Sequence, residues 1–349
     1  MRRLALAALA LSTAGCFTAG YLGQAAGGEL AILSAARPLS LVRADPATAP
    51  RVKALLARVP AIQAYGRRQG LRRTPGFGRY AELGRPAAAW LVLACAPLAF
   101  EPRHWTFPVV GSVPYLGFFD EGTARAEAAR LAREEGLDVE VRAARAYSTL
   151  GWFRDPILSS MLPPGDAALG ELANTVLHES VHATVYLADQ STFDESLAAF
   201  VADRLTLPWL SATLGPASPE VVAWQAAEAR SEARSEGYRA TSLALEALYR
   251  SSAPEAEKRA GKAALLERLR RDLGLAVAPN NATLAGFRTY GAASGGFERL
   301  LAACDGRWSR LMAAVATLRP EDFGRPQRED FEPVLDGLAG AGCPATSPP

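Results

Sequence analysis

The stretch that decides the fold of this chain is Leu169 to Leu187, whose centre reads His178-Glu179-Ser180-Val181-His182. Apolar residues recur through this stretch at helical spacing, which predicts an amphipathic helix. Residues four apart lie one above the other on a helix, so the two imidazoles share one face. Two histidines in this arrangement can bind zinc, and Glu179 can then take a proton from water that the ion activates. The pattern predicts a metal centre with His178 and His182 as ligands and Glu179 as general base.

A third ligand is expected, since a catalytic zinc ion takes three protein ligands and keeps one position open. Glu195 lies thirteen residues after His182. Between them, the polar segment Asp189 to Thr192 predicts a turn, and a second helix is expected over residues 193–207, ended by Pro208. Two helices joined by a short turn are antiparallel neighbours. Glu195, in the first turn of the second helix, can therefore face the middle of the first.

These residues also have structural interpretations without a metal. The histidine pair is compatible with an ordinary helix that binds no ion. Thr192 and Glu195 match a capping box, in which the glutamate only satisfies amides at the start of a helix. The third histidine, His104, stands alone far upstream, a position more typical of a structural or surface residue. The metal interpretation is preferred because a paired-histidine motif precedes Glu195 and the sequence offers no other candidate for the third metal ligand.

Further segments match a known family over most of the chain after residue 16. They are Tyr80–Pro86, Phe107–Gly111, Tyr147–Phe153, Asp155–Pro156, His178–His182, Asp194–Phe200 and, more weakly, Asn280–Tyr290. In these segments the chain resembles the putative bacterial aminopeptidase family. That family belongs among the gluzincin-type HExxH zinc metallopeptidases and has lipoprotein members. The resemblance implies a zinc-dependent peptidase with His178, His182 and Glu195 as metal ligands.

The resemblance also implies further site residues. Related zinc peptidases commonly use a tyrosine or histidine after the third ligand to stabilise the oxyanion that forms at the scissile carbonyl. This indicates Tyr290 as the corresponding residue. The alternative role of Tyr290 is packing in the core. Tyr147 and Tyr186 are weaker candidates for the same role. Asp203 is expected either to orient a ligand imidazole or to pair with a neighbouring arginine at the surface.

The N-terminus predicts export. Two arginines precede the apolar run Leu4 to Leu11, and small residues lead to Cys16. This pattern is typical of a signal peptide, and the run is shorter than the roughly 20 apolar residues that span a membrane. We expect a lipoprotein signal peptide over residues 1–16 and a lipid anchor on Cys16. Bacterial lipoprotein signals usually have leucine three residues before the cysteine, where this chain has Thr13. The alternative is therefore cleavage nearby as an ordinary signal peptide, without lipid attachment. Phe17 favours the periplasmic face of the outer membrane as the location in the bacterial cell envelope.

The remaining cysteines are odd in number. Cys95 lies in an apolar stretch and is expected to be a buried small hydrophobe. Cys304 and Cys343 are candidates for a disulfide that the sequence does not establish. Members of the family often have cysteines at the positions of Thr106 and Ser112, so a disulfide found elsewhere in the family is not expected here.

Composition and patterning predict a mainly helical α+β fold with a small N-terminal sheet and a helical C-terminal half, and the family resemblance implies zincin-like active-site helices. The expected parts are a mixed region over residues 17–165, a helical zinc-site region over residues 166–330 and a flexible tail over residues 331–349. Removing residues 1–16 takes away two arginines, so the formal charge falls from +2 to 0 (2 − 2). A neutral chain gives no reason to expect nucleic acid as a partner.

Three functions are compatible with these features. The first is a zinc-dependent peptidase of the cell envelope acting on peptide substrates, with the family resemblance favouring an aminopeptidase. The second is an envelope metalloendopeptidase. The third is a non-enzymatic lipoprotein with a binding or structural role. The segment Ala146 to Leu158 is expected either as an exposed edge strand that pairs with a peptide backbone or as a buried aromatic loop.

Overall fold

The computed structural model describes residues 20–107, 111–146, 155–291 and 294–344, without the side chains of Pro75, Gly111, residues 288–291 and Ser294. Its α-helices, in chain order, are α1 (residues 20–35), α2 (Leu39–Ala44), α3 (Pro50–Arg68), α4 (Glu121–Glu135), α5 (Ala168–His182), α6 (Ser191–Leu214), α7 (Pro219–Arg250), α8 (Glu255–Asp272), α9 (Asn281–Gly291), α10 (Ser294–Ala303), α11 (Trp308–Val315) and α12 (Glu332–Ala341). Its strands are β1 (Arg37–Pro38), β2 (Arg79–Ala81), β3 (Ala89–Cys95), β4 (Trp105–Phe107), β5 (Gly111–Val113), β6 (Tyr115–Phe118), β7 (Asp138–Ala144) and β8 (Ile157–Leu158). The predicted fold class, mainly helical α+β, is confirmed.

The small sheet has the strand order β6-β3-β7 and is antiparallel throughout. Strand β3 is apolar along its whole length because both of its faces are covered. Trp90 and Val92 pack with Leu131 of α4, whereas Leu93 packs against Ala285 of α9. Successive strand residues point to opposite faces, so one strand binds a helix on each side. The sheet therefore connects α4 on one side to α9 on the other.

Helix α9 approaches the sheet closely at Gly286. A Cβ atom at this position would lie 2.6 Å from Leu93 Cδ2 and 2.9 Å from Arg142 Nη2. Only glycine leaves room for the two elements at this distance. The close approach sets the position of α9 along the cavity described below.

Strands β4 and β5 form a separate antiparallel hairpin. Thr106 and Ser112 are directly opposed in its register. The hairpin is tied to distant segments by hydrogen bonds. The backbone N–H of Ser112 donates to Asp189 Oδ1 at 3.4 Å, and Gln327 donates to the Ser112 carbonyl at 3.0 Å.

Helices α3, α5 and α6 form the centre of the main hydrophobic core, together with the C-terminal helices. Phe193, at the start of α6, is completely buried. Its ring contacts those of Phe297, Phe323 and Phe331 at centroid distances of 5.8, 5.0 and 5.2 Å. This aromatic cluster holds the beginning of α6 against the C-terminal part of the chain.

Two predicted helix ends are wrong. Helix α5 ends at His182 rather than Leu187, because the backbone tightens there, with Thr184 N donating to the Val181 carbonyl at 2.8 Å. Helix α6 continues through Pro208 to Leu214. Proline removes one hydrogen bond from the helix, but Trp209 and Leu210 beyond it are buried in the core. Their packing outweighs the missing bond.

Helices α10 and α11 are separated by Asp305 and Gly306 in left-handed conformations with φ of 58° and 67°. The structure differs from the expected flexible tail. Helix α12 lies within it, because Phe331 and Leu335 are fully buried and a disulfide joins Cys343 to Cys304.

Two further findings concern membrane passage and Cys95. Within the described ranges, no helix has the length and apolar character needed to cross a membrane. Cys95 is buried and carries a free thiol, as the sequence predicts. Burial raises the pKa of this thiol to about 12, so it stays protonated at neutral pH.

Candidate metal centre

Helix α5 has two distinct faces. Leu172, Val176 and Val181 are fully buried in the core. Asn174, His178 and His182 follow one another at a spacing of four and line a cavity of about 830 Å³. The helical period therefore separates a packing face from a face that carries polar side chains.

The connection from α5 to α6 is held by Asp194. Both of its carboxylate oxygens accept a hydrogen bond from the backbone N–H of Leu187, at 3.1 and 3.2 Å. Burial raises the pKa of Asp194 to about 8, although this hydrogen bond acts in the opposite direction. Asp189 adopts the left-handed conformation with φ of 60°, which turns the chain back. As a result, the first two turns of α6 lie beside the end of α5.

Three potential ligand atoms meet at this junction. Nε2 of His178 and Nε2 of His182 are 3.1 Å apart. Glu195 Oε2 lies 3.4 Å from the first nitrogen, and Glu195 Oε1 lies 3.7 Å from the second. Among the described residues, these three side chains form the group of histidine, cysteine and acidic residues able to hold a metal ion, with ligand atoms within 4.8 Å of one another.

The electrostatics of the two imidazoles differ. Burial disfavours a charged imidazole, but the hydrogen bond and negative charge of Glu195 outweigh it and raise the pKa of His178 above its ordinary value. Burial and the neighbouring His178 lower the pKa of His182 to about 4. Burial disfavours the charged form of Glu195, yet its contact with His178 lowers the pKa of this carboxyl. At neutral pH the site therefore contains a neutral imidazole and a carboxylate, two states that bind metals.

The arrangement fits a tetrahedral zinc ion. Bonds of about 2.0–2.1 Å with tetrahedral angles would place ligand atoms roughly 3.3 Å apart. The observed separations of 3.1, 3.4 and 3.7 Å are close to that value. Two imidazole nitrogens that face each other and a carboxylate also bring lone pairs together, which a cation would stabilise. Two nitrogens and one oxygen are a donor set that zinc accepts.

The cavity beside these atoms is large enough for a peptide segment. Glu179 and Asp189 line it together with the three ligand side chains. Its opposite wall is formed by residues of β3, β6 and β7, and Ala282 and Gly286 of α9 line one side. Tyr186 also lines it and is 42% exposed. The cavity therefore combines a candidate metal centre, a second carboxylate next to it and an open route to solvent.

The other residues singled out from the sequence are distributed as follows. Tyr290 lies on α9 one turn beyond Gly286, and its side chain is outside the described part. Tyr147 and most of the segment 146–158 are also outside the described residues; at its end, β8 is buried and pairs with β2. His104 is exposed and its Nδ1 contacts the Pro102 carbonyl, away from the other two histidines.

The structure differs from two of the alternative interpretations given for α6. Thr192 and Glu195 do not form a capping box, since α6 begins at Ser191 and its N-cap, Gln190, makes no side-chain cap hydrogen bond. Asp203 has neither an arginine partner nor a hydrogen bond to an imidazole within the part of the chain that the structure describes. It accepts a hydrogen bond from Asn174 at 2.8 Å instead.

Two residues of the site were missed in the sequence. Asn174 lies four residues before His178 and lines the same cavity, so extending the helical spacing backwards would have found it. Asp194 holds the turn that brings Glu195 to the histidines. Nothing in the local sequence distinguishes it from an ordinary first-turn acidic residue, because its partner is a backbone amide seven residues earlier.

Comparison with protein families gives one match. The family model described as Putative aminopeptidase matches residues 20–330. No curated protein and no solved structure matches the chain.

Proposed function

Because this chain belongs to the Putative aminopeptidase family, we propose that it is a zinc-dependent peptidase of the bacterial cell envelope that removes amino-terminal residues from peptides. The observation that carries this proposal is the convergence of His178, His182 and Glu195 on one point beside a cavity. A binding protein without catalytic activity has no need for Glu179 next to such a site.

In this proposal His178, His182 and Glu195 hold the zinc ion. Zinc, when bound, acidifies water and polarises the carbonyl of the scissile bond. Glu179 accepts a proton from the attacking water while the water oxygen forms a bond to the carbonyl carbon. When the C–N bond breaks, Glu179 delivers that proton to the leaving amine. Its carboxylate therefore returns to its starting state after each cycle.

The tetrahedral oxyanion requires a further hydrogen-bond donor. We assign this role to Tyr290. The support is its position on α9, one turn beyond Gly286, since Gly286 and Ala282 line the cavity. Tyr186 is the alternative, because its ring lines the cavity directly.

An aminopeptidase also needs negative charge to bind the free amine of its substrate. Asp189 is our candidate, because it lines the cavity together with Glu179 and Glu195. Within the part of the chain that the structure describes, its carboxylate accepts one long hydrogen bond, at 3.4 Å from the Ser112 backbone N–H. An ammonium group would be a stronger partner for it.

The cellular location in this proposal rests on the sequence. A lipid on Cys16 would anchor the protein to the periplasmic face of the outer membrane, and a peptide is the expected substrate. The four parts proposed from the sequence are the signal peptide at 1–16, the mixed part at 17–165, the zinc-site part at 166–330 and the C-terminal segment at 331–349.

The test is metal analysis and peptide hydrolysis by the chain from residue 17 onward. We expect about one zinc ion per chain. Peptides with a free amino terminus should be cleaved one residue at a time. A chelator should stop cleavage and added zinc should restore it.

The control substrates are the same peptides with an acetylated amino terminus. If free and acetylated peptides are cleaved equally well at internal bonds, the protein is an endopeptidase. If the chain binds no metal after zinc is supplied, the enzymatic proposal is wrong and the non-enzymatic interpretation replaces it.

A further inference from the structure

The charge of this protein is unevenly distributed along the chain. Between Asp45 and Glu82 the sequence has eight lysines and arginines and no acidic residue. The full chain has a formal charge of +2, so all other residues sum to −6 (2 − 8). An overall neutral composition therefore conceals a strongly basic segment.

Most of these cations lie on the outward side of α3 or just beyond it. The inward side of the helix is apolar, with Leu56, Val59 and Ile62 fully buried. Its exposed cations are Arg51, Arg58, Arg67 and Arg68, Lys53 is half-buried, and Arg72 and Arg73 follow in an exposed segment. We call the exposed arginines 58, 67, 68, 72 and 73 the basic face.

The basic face lacks the ion pairs found elsewhere in the protein. In the described ranges, no acidic group lies within 4.0 Å of any of its five guanidinium groups. By contrast, Arg125 and Arg130 of α4 and Arg259 of α8 each pair with a glutamate of the same helix. The cations of the basic face are therefore available to an external anionic partner.

The helices that precede the basic face expose apolar side chains. Leu30 of α1 is 64% exposed and Leu41 of α2 is 57% exposed, whereas Leu22 of α1 lines the cavity beside the candidate metal centre. The one charged residue of α1, Glu29, is buried. Helix α2 packs on α3, so the helix that carries Leu41 contacts the helix that carries Arg58, Arg67 and Arg68.

We propose that the basic face binds the anionic headgroups of a phospholipid bilayer, with the exposed leucines of α1 and α2 at the membrane boundary. Lysine and arginine clusters attract anionic lipid surfaces, and adjacent apolar side chains add contact that a soluble anion does not offer. The choice of a membrane rests on the proposed lipid anchor, since Cys16 lies four residues before the first described residue of α1.

A nucleic acid is the other polyanion that such a surface could bind. The exposed leucines favour the bilayer, because phosphates and sugars leave apolar side chains uncovered, whereas a bilayer has an apolar layer beneath its headgroups. The test below includes a nucleic acid as a competing outcome.

The test is sedimentation with vesicles, using the chain from residue 17 onward so that no acyl chain contributes. Vesicles of phosphatidylcholine with phosphatidylglycerol should bind the protein, and vesicles of phosphatidylcholine alone should not. Binding should weaken strongly as salt rises from about 0.1 to 0.5 M, because screening shortens the reach of surface charge.

The key variant is Arg58→Gln, Arg67→Gln and Arg68→Gln together. Since each basic residue near an anionic surface contributes roughly fivefold in affinity, binding should fall on the order of 100-fold. The matched control removes three exposed arginines of α7 and α8, Arg230→Gln, Arg234→Gln and Arg271→Gln. This control changes net charge equally and should leave binding nearly unchanged.

Three results would overturn the proposal. They are absence of binding to the anionic vesicles, equal losses in the two triple variants, and tighter binding of a single-stranded oligonucleotide to the same face. Zinc content and peptide cleavage, measured on the same samples, should match the unmodified chain in both variants. A failure of membrane binding is thus separable from a failure of the proposed peptidase activity.

Discussion

Helices α3 and α5 pack against each other but use their charged side chains in opposite ways. Their contact is close, since a side chain at Gly66 of α3 would lie 3.3 Å from Leu177 of α5. On the far side of α5, His178 and His182 converge with Glu195 within a partly buried site. On the far side of α3, exposed arginines have no acidic partner among the described residues. Converging buried charges are suited to one small ion, whereas spread exposed charges are suited to an extended surface.

The largest effect is expected from removing a converging side chain. His182→Ala and Glu195→Ala should each weaken zinc binding by more than about 100-fold, the upper range for residues that only support a ligand. Peptide cleavage should be lost together with the metal. Metal analysis after dialysis measures the effect. His104→Ala, which changes an exposed histidine elsewhere, is the matched control and should retain zinc.

Retention of zinc in Glu195→Ala would contradict the view that the side chains converging beside α5, unlike the exposed arginines of α3, act together on one ion. It would mean that the histidines and some other group hold the ion, and that the contacts of Glu195 with the two imidazoles serve only to stabilise the helix junction.

A smaller effect is expected when the general base is changed and the ligands are kept. Glu179→Gln should bind zinc normally but reduce kcat by about 10²–10⁴-fold, the usual contribution of general acid–base catalysis. The control is Glu171→Gln, the same change two turns earlier on α5. Equal activity of the two variants would contradict a proton-transfer role for Glu179.

The two tyrosine candidates can be separated directly. Tyr290→Phe should lower kcat by up to about 10²–10³-fold with zinc content unchanged, because one donor to the oxyanion is removed. Tyr186→Phe should retain most of the activity and serves as the control. The reverse outcome would transfer the role to Tyr186, the residue that the structure shows lining the cavity.

The smallest effect concerns Glu29, a buried charge that lacks the compensation found at the metal centre. Among the described residues, neither of its carboxylate oxygens has a hydrogen-bond partner. Burial, together with the nearby Asp155, raises its pKa from 4.5 to about 7. The folded state therefore holds a proton that the unfolded chain releases. The stability contributed by Glu29 is complete below pH 4.5 and is lost as the pH rises through about 7.

Glu29→Gln should remove this dependence. The melting temperature of the variant, taken relative to that of the unmodified chain, should be higher at pH 8 than at pH 5. The difference should be roughly 2–4 °C for each kcal/mol of unfolding free energy that the unmodified chain loses over this range. Thermal unfolding at both pH values measures it, with Glu232→Gln on exposed α7 as the control. A constant difference at the two pH values would show that Glu29 finds a partner in solution.

Much of the fold and site was predictable where the signal was local. The histidine pair, Glu179 and the antiparallel helices follow from helical spacing and a short polar turn. Helix ends were less predictable, as Pro208 shows, because the burial of Trp209 and Leu210 is not visible in the proline itself.

The sequence by itself determined which side chains of α5 share a face, because a helix repeats every 3.6 residues whatever surrounds it. It also determined the excess of positive charge between Asp45 and Glu82. Only the tertiary structure decided that Glu195 faces the imidazoles rather than capping α6. Its position depends on the hydrogen bond from the Leu187 backbone N–H to Asp194 and on the aromatic cluster around Phe193. It alone decided that the arginines of α3 have no acidic partner among the residues that the structure describes. Spacing along a helix is a local property, whereas partners across the molecule are selected by the packing of the whole chain.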